Sequence, residues 1–87
     1  MSKYKKYTKG KMSFWVYADK VTIQITSVQV VRYDIYTTAN KRNFYTFKKS
    51  LTALLSDESR DITIYDIMTL GQTSRIHSTA AQRPDDE

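Results

Sequence analysis

The sequence predicts a small α+β domain: an antiparallel sheet of three to five strands with one short helix, a flexible basic arm before it and a polar tail after it. Three observations predict this. Residues 13–36 are rich in β-branched and aromatic side chains, and "VTIQI" within them alternates apolar and polar residues with the period of two that a half-buried strand requires. Leu51, Leu54 and Leu55 take the i, i+3, i+4 spacing of a helix face. The opening "MSKYKKYTKGKM" carries five lysines and two tyrosines with no aliphatic side chain between its methionines, so it offers nothing to a core.

Length and composition bound the rest. At 87 residues the chain is read as one domain, of a size that buries only about 60–65% of its unfolded surface. With no cysteine, neither a disulfide nor a thiolate metal site adds stability, so the core must supply it. The basic start resembles the first part of a secretory signal, yet "MSFWVYA" stops at Asp19, short of a full apolar region and cleavage site. No stretch reaches the ~20 apolar residues of a membrane span. The expectation is a cytoplasmic protein without membrane contact, divided into an arm (1–11), a body (12–76) and a tail (77–87).

Element by element, "SFWVY" reads as a first strand and "VTIQI" as a second, with Val21, Ile23 and Ile25 on one face and Thr22 and Gln24 on the other. Asp19-Lys20 sits at the turn between them. "TSVQVVRYDIYTT" holds Val28 and Val30 in one parity and Val31, Tyr33 and Ile35 in the other, which predicts a bulged third strand. "TANKRN" then reads as a turn with Lys41 and Arg42 at a hairpin tip, and "FYTF" as a fourth strand. "KKSLTALLSDES" is the predicted helix. Its Lys48 and Lys49 near the start, with Asp57 and Glu58 near the end, oppose the helix dipole. In "RDITIYDIMTLG" the β-branched Ile62 and Ile64 favour a strand returning to the sheet over a helix stopped at Gly71.

Charge is distributed unevenly along the chain. Residues 1–49 carry +9 and residues 50–87 carry −4, within a total of +5. A concentrated positive surface attracts polyanions. Catalytic candidates are few. His77 is the sole histidine, lies in the polar tail and has no cysteine partner, and "SDESRD" lacks the alternating ligands and glycine of a calcium loop. Gly10 and Gly71 are isolated, outside any phosphate-cradling motif. The sequence therefore predicts no enzyme, no cofactor and no metal.

What remains is the interleaving of lysine and tyrosine. Lysines track phosphates and rings stack on bases, the combination used by proteins that bind single strands. Trp15, Phe14 and Phe47 are assigned to the core, whereas Tyr4 and Tyr7, with no aliphatic neighbours, call for an external surface. The expected nucleic-acid-binding residues are Lys3, Tyr4, Lys5, Lys6, Tyr7, Lys9 and Lys11 of the arm, with Arg32, Lys41, Arg42, Lys48 and Lys49 as a second contact. "KRNFYTF" lacks the glycine and ring spacing of the aromatic motif of RNA-recognition sheets, and no helix-turn-helix or zipper pattern is present. The expected function is that of a small accessory or regulatory protein gripping DNA or RNA by its phosphates. The alternative is an inhibitor module of phage or plasmid type that binds a protein of a nucleic-acid machine. In either case "SFWVY", read as an edge strand, offers a route to a homodimer.

Overall fold

The computed structural model describes residues 3–36, 40–76 and 79–84. They form an α+β domain of five strands and two helices: β1 (Lys5–Lys9), β2 (Met12–Val16), β3 (Lys20–Thr26), β4 (Val30–Tyr36), α1 (Lys41–Ser56), α2 (Ile64–Thr73) and β5 (Thr79–Pro84). The sheet is antiparallel in the order β1-β2-β3-β4-β5, and its first four strands are a simple meander. His77 and the acidic end at 85–87 lie outside the described residues.

The period-two pattern sorts the sheet into two faces. Phe14 pairs with Ile23 and Ile23 with Tyr33, while Val16 pairs with Val21 and Val21 with Ile35, so the apolar residues of β2, β3 and β4 share one side. Helix α1 lays Phe44, Phe47, Leu51 and Leu55 on that side, and α2 adds Ile67. These residues form the core. The opposite parity brings Lys6, Trp15, Thr22 and Asp34 into one cross-strand row, and Thr8, Ser13, Gln24 and Arg32 into the next. No described helix packs on that face.

Several expectations are corrected here. Lys5–Lys9 is a strand, where composition suggested a flexible arm: Gly10, at φ 60°, leads a tight two-residue turn with Lys11 that folds "KKYTK" back onto β2. This pairing makes "SFWVY" an inner strand, so the homodimer edge assigned to it is already occupied. The bulge is absent, because β4 begins at Val30 and pairs continuously with β3, leaving Val28 fully exposed in the connection. The hairpin tip and fourth strand are replaced by the first half of α1: Phe44 and Phe47 continue the stripe of Leu51 and Leu55, and Asn40 caps the helix by accepting from Asn43 N at 3.0 Å.

Nor does residues 61–70 return to the sheet as a strand. Thr63 and Asp66 form a reciprocal capping box, Thr63 N donating to Asp66 Oδ2 at 2.8 Å and Asp66 N to Thr63 Oγ1 at 3.3 Å, and the local cap outweighs the β-branched preference of its neighbours. The sheet is completed instead by β5, within the segment expected to be tail. The domain therefore carries two helices, of 16 and 10 residues, in place of one short one.

Candidate nucleic-acid interface

Strand β1 and helix α1 meet at one edge of the domain, and between them lies an open groove of about 420 Å³. Alternation along β1 sends Lys5 and Tyr7 to the helix side, while α1 presents Lys48, Lys49 and Thr52 from two successive turns. Lys3 and Tyr4 extend the wall, and Val16, Tyr17 and Ala18 close the floor. Four lysines and no acidic residue line it. Six of the residues expected to bind nucleic acid, Lys3, Tyr4, Lys5, Tyr7, Lys48 and Lys49, thus converge on a single surface from positions more than forty apart in sequence.

The cations of the groove are not equivalent. Lys48 Nζ donates to the backbone oxygens of Tyr17 at 3.2 Å and Ala18 at 2.9 Å and stands 5.4 Å from the Phe44 ring centroid, so it ties α1 to the β2–β3 turn. Its charge is present but its position is fixed. Lys49, 5.7 Å from the Tyr45 ring, and Lys3 and Lys5 are exposed and able to reach a ligand. Tyr4 packs its ring on Tyr17 with centroids 5.4 Å apart, and Lys20 Nζ lies 4.9 Å from the Tyr17 ring. Ring and cation alternate along this edge, the pairing that favours phosphate and base together.

The remaining expected residues lie elsewhere. Lys6 points to the opposite sheet face, 5.0 Å from the Trp15 ring, and Arg32 lies on that same face, its Nη2 donating to Gln24 Oε1 at 3.0 Å. Lys9 is at the far end of β1, its Nζ donating to the backbone oxygen of Asp57. Lys11 belongs to the β1–β2 turn and its carbonyl accepts from Thr26 N at 2.9 Å. Lys41 and Arg42 occupy the first turn of α1, where no acid offsets them, and Lys41 with Asp19 and Tyr45 borders a neighbouring cleft that shares Lys48 with the groove. The twelve expected residues therefore divide among several surfaces.

Two of the ring assignments change. Phe14 and Phe47 are core, but Trp15 is half-buried on the open sheet face. Tyr7 is the converse: it packs against the core, while Tyr4 stays exposed. Tyr17, Lys20 and Thr52 went unselected in the sequence. Parity was the available signal for Trp15, since Phe14 and Val16 flank it and only one of the two faces can be apolar.

No protein-family model, curated protein or solved structure matches the chain. Among the described residues there is no helix long and apolar enough to cross a membrane and no group of His, Cys, Asp or Glu arranged to hold a metal ion.

Proposed function

We propose that this protein is a small non-enzymatic accessory protein that binds DNA or RNA by clamping the phosphate backbone in the groove between β1 and α1. The observation that carries this reading is the convergence of Lys3, Lys5, Lys48 and Lys49 with Tyr4, Tyr7 and Tyr17 in one acid-free groove. A chain that neutralises several phosphates gains affinity by releasing counterions, and it gains little sequence preference in doing so. Lys48 fixes the floor, Lys3, Lys5 and Lys49 meet phosphates, and Tyr4 on Tyr17 offers a ring surface beside them.

The test is a fluorescence-anisotropy titration of labelled single-stranded and duplex oligonucleotides at several salt concentrations, with the intact chain and with the triple variant Lys3→Ala, Lys5→Ala, Lys49→Ala. Each lost phosphate contact reduces the slope of log K against log[salt] by about 0.7–0.9, so the triple variant is expected to lose about 2–3 from the slope. An unchanged slope in the variant, or no binding of either oligonucleotide at low salt, overturns the reading. The second result directs the groove towards the acidic surface of a protein partner, where the same charge complementarity applies.

A further inference from the structure

The groove leaves the open face of the sheet unaccounted for, and that face has its own cavity. Trp15, Tyr17, Lys20, Thr22, Arg32 and Asp34 enclose about 200 Å³ on β2, β3 and β4. Its floor is ordered: Asp34 is only 4% exposed, and Thr22 Oγ1 donates to Asp34 Oδ1 at 2.8 Å. Its walls are rings and cations. Trp15 and Tyr17 stand on one side, Lys20 lies between Tyr17 and Tyr36 at 4.9 and 5.8 Å from their centroids, and Lys6 sits over Trp15. The volume is below the ~300 Å³ at which pockets for whole drug-sized ligands begin, so it suits one planar ring fragment better than a complete cofactor.

We infer that this face takes the unpaired bases of a single-stranded nucleic acid, which makes the protein a single-strand binder. The argument rests on the reading that the groove holds phosphate. Tyr17 lines both the groove and the sheet-face cavity, so a strand gripped by Lys3, Lys5 and Lys49 can pass over Tyr17 and lay a base against Trp15. Lys6, Lys20 and Arg32 against Asp34 leave the face net positive, as a polyanion requires. A base that replaces Lys6 on the Trp15 ring frees its ammonium for the adjoining phosphate. Duplex DNA keeps its bases stacked inside and cannot make this contact.

Trp15 is the only tryptophan in the chain, so its emission reports this face alone. The intact protein is titrated with a single strand of about 15 nucleotides, with the duplex of the same sequence and with inorganic polyphosphate. Quenching by the single strand, with polyphosphate binding but leaving the emission unchanged, is the expected result. Trp15→Leu is expected to weaken single-strand binding about tenfold while polyphosphate affinity is retained. Lys20→Gln, which spares the ring, is expected to lower the single-strand salt slope by about 0.7.

If the single strand binds without altering Trp15 emission, and Trp15→Leu leaves the preference over duplex intact, the inference fails while the groove reading stands. If quenching persists but the groove lysines prove irrelevant to the salt slope, the groove reading fails and the sheet face is the binding surface. Equal quenching by the duplex also overturns the single-strand assignment.

Discussion

The two faces of one sheet differ in what they have been given to do. On the helix side, Phe14, Val21, Ile23 and Ile35 meet Phe44, Phe47, Leu51 and Ile67, and nearly all of this surface is withdrawn from water. On the other side, the same strands present Lys6, Trp15, Lys20, Thr22, Arg32 and Asp34, tied by cross-strand hydrogen bonds and cation–ring contacts. One residue of displacement along β2 separates Phe14, fully buried in the core, from Trp15, half-buried on the face that no described helix covers. A small domain can give one face of its sheet to stability and keep the other for chemistry.

The strongest way to break this contrast is to truncate neighbours on β2. Phe14→Ala, at a fully buried position, is expected to cost about 3–5 kcal/mol, a large part of the ~4–13 kcal/mol that a domain of 87 residues commands. Trp15→Ala is expected to cost less, about 1–2 kcal/mol, since its side chain is half-buried on the open face where that of Phe14 is fully buried. Urea unfolding of the two variants measures both, and equal losses would show that the open face is a second core.

Next in size is the cap of the covering layer. Thr63→Ala removes half of the capping box of α2 and is expected to lower stability by about 1 kcal/mol, read as a shift in urea midpoint, with Trp15 emission in the folded state unchanged. A changed emission would mean that the two faces are coupled through the sheet. The glycines sharpen the contrast between turn and helix. Gly10→Ala forces a side chain into the left-handed region at φ 60° and is expected to destabilise by about 1 kcal/mol, whereas Gly71→Ala, inside α2 with open space at its Cβ position, is expected to stabilise by about 0.5–1 kcal/mol. Thermal unfolding should move in opposite directions for the two.

The smallest effect is at Asp57, where α1 ends. Hydrogen bonds from the Ser59 hydroxyl and the Ser59 amide hold the Asp57 carboxyl below its ordinary 3.8, with the Lys9 and Arg60 charges assisting. Because the folded value is the lower one, this contribution is present in full above 3.8 and is lost as the pH falls through the folded value. Ser59→Ala should therefore lower the melting temperature slightly near neutrality and not at all in strong acid. A difference that grew on acidification would reverse the sign.

How much of this was legible in the sequence depended on which force decided each element. β2, β3 and the core residues Phe14, Val21 and Ile23 follow from alternation, because one face of the sheet is apolar and the period of two leaves no second solution. The second half of α1 was legible from its leucines, and the first half was written in Phe44 and Phe47 at the same spacing, though the aromatic run read locally as strand. α2 was hidden because Ile62 and Ile64 argue for a strand while the deciding contact is the Thr63–Asp66 box, a single pair. β1 was hidden because lysine is a poor strand former and the pairing depends on a tight turn at Gly10 and on a partner already in place. The groove could not be read from order along the chain at all, since it exists only where β1 crosses α1.

Among the described residues β1 has no strand on its outer side, and three of its five residues are lysines. An exposed edge of this kind is a template for adding further copies, and like charges on successive chains oppose that addition. The β1 lysines, of which Lys5 also lines the groove, thus guard the chain against edge-to-edge aggregation. Neutralising Lys5, Lys6 and Lys9 together, whether by substitution or under a dense polyanion, removes that guard, and aggregation should begin at a lower protein concentration.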